Sequence, residues 1–247
     1  MTGVPGVSDL ATTDPDLVEI VERFTLREVP QDAPLPEDVT ALVRAAALVA
    51  TGSFAQLRAL LVAALDDGVP PVALREVAYA SIPYAGLGRG VDAVRVLNEV
   101  LSDRGVALPL PSQTTATEED RAERGLAVQK EIVGEERVDA MHAGAPADCA
   151  HIQRYLAVHC FGDHYTRGAV DVPTRELLTL ATLVALGGAD PQVKGHVAAN
   201  LHVGNDRATL LAVLTRLLPY VGYPRTLNAL RAIDEVAPPS FTKKETA

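Results

Sequence analysis

The chain has 247 residues, 48% of them apolar, enough for a hydrophobic core and too many for disorder as a whole. Its formal net charge is −10 and its 22 basic residues form no run, which argues against nucleic acid or an anionic membrane surface as a partner. Aromatic residues make up 4%, with no tryptophan, so the core must come from Ala, Leu and Val, a composition suited to closely packed helices.

The first 36 residues hold five prolines. Met1–Asp14 reads as a loose tail, Leu17–Phe24 as a short helix and Arg27–Pro36 as a connector. Helical patterning then begins, with Leu42, Ala45, Ala46 and Val49 on one stripe and Leu177, Leu180, Ala181 and Val184 on another. Leu108–Pro111 reads as an extended strap. Thr117 can cap a helix that carries Glu118, Glu119 and Asp120 in its first turn and runs to about Val133. A loop at Gly144–Pro146 precedes a helix from Asp148 to about His159. Met1–Asp14 lacks the basic and apolar regions of a signal peptide, and no uninterrupted apolar run reaches about 18 residues. The expected location is the cytoplasm. Two cysteines, Cys149 and Cys160, make no disulfide framework.

A repeat organises the chain. Sliding the sequence by 136 residues pairs 52–100 with 188–236 without a gap, and 15 of the 49 pairs are identical, among them Pro83/Pro219, Tyr84/Tyr220, Gly86/Gly222 and Arg89/Arg225. Each unit reads as helix, Gly turn, helix, Gly turn, helix, Tyr-x-Gly corner, helix. The expected divisions are an N-terminal tail and short helix (1–36), a degenerate first repeat (37–104), a connecting strap with helices (105–170), a second repeat (171–237) and a C-terminal tail (238–247).

Several local motifs accompany the repeat: Tyr84-Ala-Gly86, Cys160-Phe-Gly-Asp-His-Tyr-Thr-Arg167, Arg175-Glu176, Gly187-Gly188, His196, Gly204-Asn205 and Pro219-Tyr-Val-Gly-Tyr-Pro-Arg225. In this order and spacing the chain resembles the two-repeat branch of the carboxymuconolactone decarboxylase-like family, relatives of the alkylhydroperoxidase-like fold, from roughly Asp16 to Val236. The resemblance implies an all-α fold of two tandem helical units and a homo-oligomer, a trimer or trimer-based assembly. It also implies a Glu and a His at matching positions serving as a proton relay. The family's chemistry is varied, so membership alone does not name a substrate.

Glu176 and His196 are the leading catalytic candidates. Glu176 lies 11 residues before the Gly187-Gly188 turn and His196 lies 8 after it, so a helical hairpin at about 1.5 Å per residue brings them to similar depth. A Glu accepting an imidazole N–H fixes the tautomer and raises the basicity of the ring. Gln192, His196 and Asn200 form one polar stripe, whereas the first unit has Gln56, Leu60 and Ala64 there, with Thr40 or Ala41 for Glu176. The second unit is therefore expected to carry the site, with the first mainly architectural. The competing reading of His196 is a core histidine that satisfies a helix carbonyl.

Cys160 is a third catalytic candidate, or else a small buried hydrophobe. The paired redox cysteines of the alkylhydroperoxidase-like fold would occupy Ala189 and Gln192, so a dithiol cycle lacks its partner. Arg167 is a candidate for holding a substrate carboxylate, or for an ion pair with Asp163 or Glu176. Tyr165, Gln192, Asn200 and Tyr220 are further substrate-binding candidates, the tyrosines alternatively packing at helix corners. The family motif has Asn at His159 and Tyr at His164, which points to an altered pocket. Their spacing with Cys160 matches no zinc pattern, and neither metal nor cofactor is expected. The expected activity is that of a cofactor-independent lyase or isomerase acting on a small carboxylated or enolisable substrate. A thiol-dependent peroxide reductase and a non-catalytic helical ligand-binding oligomer are the alternatives.

Overall fold

The computed structural model describes residues 3–239; Met1, Thr2 and most of the expected C-terminal tail lie outside them. Among the described residues every regular element is helical. The core is a pair of helices, α3 (Glu37–Thr51) and α10 (Val172–Leu186), packed directly on each other. Both are apolar nearly all round, and every residue from Thr40 to Ala50 and from Arg175 to Ala185 is buried. Ala41, Ala45 and Ala46 on α3 and Ala181 on α10 carry only a methyl group, which lets the helices approach closely.

Each central helix has the same partners. In the first unit these are α4 (Phe54–Asp66), α5 (Pro71–Ala85) and α6 (Leu87–Asp103). In the second they are α11 (Asp190–His202) and the long α12 (Arg207–Val236), which a kink at Gly222 divides into the counterparts of α5 and α6. The Tyr-x-Gly corners match. Gly86 has φ 89° and ψ 160°, and Gly222 has φ 78° and ψ 165°, a conformation in which a Cβ would be strained. The repeat legible in the sequence is thus a repeat in three dimensions.

Three expectations need correction. The segment before Asp14 is not loose: Val4 and Val7 are buried against Val18, and Ser8–Leu10 form a 3₁₀ turn. Nor is Arg27–Pro36 a connector. Helix α1 (Pro15–Glu22) runs on through a π-turn at Arg23–Glu28 and ends as α2 (Val29–Asp32), so only four residues link it to α3. Pro30 has no N–H to give the preceding turn, and a wider π-turn before it accommodates the changed hydrogen-bond register. The helix read to His159 is α9 (Ala150–Tyr155) followed by a π-helical segment, Leu156–Tyr165. The structure also adds α8 (Glu135–Ala143) after α7 (Arg121–Val133), in residues left unassigned above.

The π-helical segment bears Cys160 and Tyr165, and α7 holds it in place at a backbone-to-backbone contact. A Cβ on Gly125 of α7 would stand 2.2 Å from the Ala157 carbonyl oxygen, and one on Gly162 would stand 2.3 Å from the Arg121 carbonyl oxygen. Gly125→Ala must therefore push the two segments apart. We expect it to destabilise the fold by about 1–3 kcal/mol, the usual cost of overpacking, read as a lower urea midpoint. An unchanged midpoint would show that this contact does not fix the segment.

Candidate functional site

Glu176 is fully buried on α10, and both carboxylate oxygens are satisfied. Oε2 lies 2.8 Å from His196 Nδ1 on α11, and Oε1 accepts the Tyr165 hydroxyl at 2.6 Å. The helical hairpin brings Glu176 and His196 to one depth, as the sequence implies. With Nδ1–H donating to the carboxylate, Nε2 is the imidazole nitrogen left with a lone pair, and the side chain retains 17% exposure. Asn200 fixes the register: its Nδ2 donates to the Glu176 carbonyl at 3.1 Å and the His196 carbonyl at 2.7 Å. Asn205 in turn donates to Asn200 Oδ1.

Behind the carboxylate runs a chain of hydroxyl and thiol groups. Tyr165 spends its one proton on Glu176, so the Thr179 hydroxyl at 2.8 Å and the Tyr84 hydroxyl at 3.3 Å must donate to the Tyr165 oxygen. The Cys160 thiol then donates to Tyr84 at 3.5 Å. Every donor in the chain is oriented towards Glu176, an arrangement in which each hydrogen bond polarises the next. Tyr84 also sets its ring edge-on to His196, centroids 5.6 Å apart. Burial raises both tyrosines well above the ordinary phenol range, and neighbouring Cys160 and Glu176 add to the effect. Burial likewise pushes the Cys160 thiol up to about 12, so it is a neutral donor and not a thiolate at neutral pH.

The structure redistributes the other candidates. Tyr165 is enclosed behind Glu176, and Asn200 is a positioning residue buried in the helix pair. Gln192 is exposed and outside this network. Arg167 does not face the site, nor does it pair with Asp163 or Glu176. Its guanidinium forms a two-pronged pair with the fully buried Glu76 of α5, at 2.8 and 2.9 Å. Arg175 joins them at 3.2 Å from Glu76 and donates to the Arg167 and Gly168 carbonyls. Asp163 pairs instead with Arg121 and His159. Tyr220 lies across the molecule beneath the Arg44 guanidinium, 5.4 Å from ring centroid to Cζ.

Two members of the network escaped the sequence reading. Tyr84 belongs to the first unit, so that unit supplies a side chain to the site as well as architecture. Its identity with Tyr220 made it visible as a repeat marker only. Thr179 stands one helical turn after Glu176, and that i, i+3 spacing was the available signal. Among the described residues no group of three or more His, Cys, Asp and Glu is arranged to hold a metal ion. No helix there is long and apolar enough to cross a membrane.

His164 is buried beside the exposed His159, their ring centroids 4.9 Å apart. Burial, then the neighbouring His159, Arg167 and Arg175, lowers its pKa to about 4, against a partial opposing pull from Asp163. The unfolded chain binds this proton more readily, so the associated stability is complete above about pH 6.5 and is lost as pH falls towards 4. Between pH 7 and pH 5 the expected loss is about 2 kcal/mol. Urea midpoints at the two pH values should fall less in His164→Tyr; equal falls would remove His164 as the cause.

Comparison with known proteins agrees with this architecture. The model of the Carboxymuconolactone decarboxylase family matches residues 15–99 and again 150–235. Each match begins at the helix that leads into a π-turn, α1 in one unit and α9 in the other. A curated relative, 4-carboxymuconolactone decarboxylase of Acinetobacter baylyi, is 27% identical over 119 residues, covering 48% of this chain and 88% of the relative.

Proposed function

We propose that this chain, which belongs to the carboxymuconolactone decarboxylase family, is a lyase or isomerase that moves a proton with His196 on a small carboxylated or enolisable substrate. The observation that carries this reading is the 2.8 Å pair between the buried Glu176 carboxylate and His196 Nδ1. It sets the tautomer with Nε2 as the base and stabilises the imidazolium once Nε2 takes a proton. In a decarboxylation the bond to the departing carboxylate breaks and CO2 leaves. The electron pair enters an adjacent carbonyl as an enolate, and His196, protonated at Nε2 from solvent at its exposed edge, gives that proton to carbon and reverts to the neutral imidazole. Until that transfer Glu176 holds charge on the imidazole that water would otherwise have to solvate.

The arginine expected to hold a substrate carboxylate is engaged by Glu76. Tyr84 is the tyrosine of the network whose ring meets the working imidazole, in a T-shaped contact with centroids 5.6 Å apart. A peroxide reductase reading fares worse. The Cys160 proton is held tightly, and Ala189 and Gln192 stand where the redox pair would be. The substrate named for the Acinetobacter relative, 4-carboxymuconolactone, is the first compound to assay. His196→Ala and Glu176→Gln should each lower kcat at least about 10²-fold with the thermal midpoint retained, whereas Gln192→Ala should not. Full activity in either site variant would sink the assignment.

We also propose that the protein assembles as a trimer or a trimer-based oligomer. Its exposed apolar residues recur from unit to unit: Leu17 and Ile20 on α1 correspond to Ile152 and Tyr155 on α9, and Leu87 to Tyr223. Surfaces kept apolar twice by the repeat fit contacts made twice around a closed ring. Light scattering should return three chains, or a multiple of three, at micromolar concentration. Leu87→Glu with Tyr223→Glu should shift the mass downwards, and a monomeric parent protein would refute the idea.

A further inference from the structure

A cavity of about 320 Å³ lies between the N-terminal segment and the first unit. Val7, Leu10 and Val21 wall it on one side, and Leu48, Leu60 and Tyr220 on the other. The repeat identifies the place. Leu60 corresponds to His196, and Tyr220 to Tyr84, in the 136-residue register. Helices α1 and α9, aligned on their first residues, Pro15 and Ala150, set Thr25 against Cys160. Thr25 is also a wall of the cavity, which therefore occupies in the first unit the position that Cys160, His196 and Tyr84 take in the second.

The acid–base groups are gone from this position. Leu60 stands for the imidazole and Thr25 for the thiol. Helix α3, aligned with α10 on the caps Gly52 and Gly187, has Ala41 for Glu176. None of the residues walling the cavity carries a charge; Arg44 stacks on the Tyr220 ring but is not a wall. A carboxylate or an ammonium group placed there would give up its water and meet no answering ion in the walls.

Two hydroxyls remain. In the second unit the Cys160 thiol donates to the Tyr84 hydroxyl at 3.5 Å. Their counterparts, Thr25 and Tyr220, both wall the cavity, and among the described residues their hydroxyls bond neither each other nor any other group. The other polar walls are engaged: Gln56 Nε2 donates to the Gly6 carbonyl at 3.3 Å, and the Ser53 and Thr51 hydroxyls pair at 2.9 Å. Thr25 is 2% exposed, and a hydroxyl so deeply placed is costly to leave unanswered.

We propose that this cavity is a second ligand site, for a small, uncharged, mainly apolar molecule that carries one hydroxyl or carbonyl oxygen. The apolar body lies against Val7, Leu10, Val21, Leu48 and Leu60. The oxygen sits between the Thr25 and Tyr220 hydroxyls and completes the link that the thiol makes directly in the second unit. A carbonyl oxygen accepts from both hydroxyls; a ligand hydroxyl accepts from one and donates to the other. A cavity of this size is at the lower end for small-molecule sites, and apolar walls with a few convergent polar groups are their usual chemistry. The proposal is independent of the roles given to Glu176 and His196.

Calorimetric titration of the full chain with phenol, toluene, benzoate and benzylammonium tests it. Phenol and toluene should bind, and benzoate and benzylammonium should bind at least about tenfold more weakly than phenol. Thr25→Val combined with Tyr220→Phe, which removes both hydroxyls, should weaken phenol at least about threefold and spare toluene. Leu10→Trp, which fills the cavity from its N-terminal wall, should weaken both. His196→Ala should change neither, which separates this site from the one in the second unit. No phenol binding up to about 10 mM, or benzoate as tight as phenol, would overturn the proposal. So would phenol binding that survives Leu10→Trp or the loss of both hydroxyls undiminished, or that disappears in His196→Ala. Should the double variant fail to fold, Leu10→Trp and the preference for phenol over benzoate decide the matter.

Discussion

A carboxylate withdrawn entirely from water constrains everything placed around it, since an unpaired buried charge costs several kcal/mol. Among the described residues two are buried, Glu76 and Glu176, and much of the architecture follows from satisfying them. Glu76 draws Arg167 and Arg175 to itself, and through their carbonyl partners it anchors the turn after the π-helical segment. That turn sets where Tyr165 enters the core. Tyr165 then meets Glu176, whose other oxygen holds His196. The first carboxylate thus positions the second one's donor, and the second orients the imidazole.

The same logic explains the placement of chemistry in the second unit. A buried Glu needs donors on both oxygens, and they come from α11, from the π-helical segment and, through Tyr84, from α5 of the first unit. Losing the Glu removes the need for the others. The first unit has lost it, and its His counterpart is Leu60, packed in the core.

The resting state of Cys160 follows from its surroundings too. Burial keeps the proton on the thiol, the nearby Glu176 charge adds to that against an opposing pull from the Tyr84 hydrogen bond, and the protonated thiol donates into the chain. The chain makes Cys160 part of the support for Glu176 and His196. It does not make it a nucleophile.

Composition, periodicity and the internal repeat, read together with the family resemblance, determined the all-helical class, the helix order within each unit and a similar depth for Glu176 and His196 across the Gly187-Gly188 turn. These depend on local rules: helical rise, glycine at helix ends and apolar stripes. The partners of Arg167 and the separation of Tyr220 from the site were decided by tertiary structure alone. Arg167 meets Glu76 across 91 residues of chain, and Tyr84 meets Tyr165 across 81. No periodicity reaches that far. The structured N-terminal segment escaped for another reason: its prolines signal a break, but a π-turn absorbs Pro30, and Val4 and Val7 find cover only once α1 has folded beside them. Which buried charge meets which is settled by the relative placement of the two units, a property of the packed core and not of any one segment.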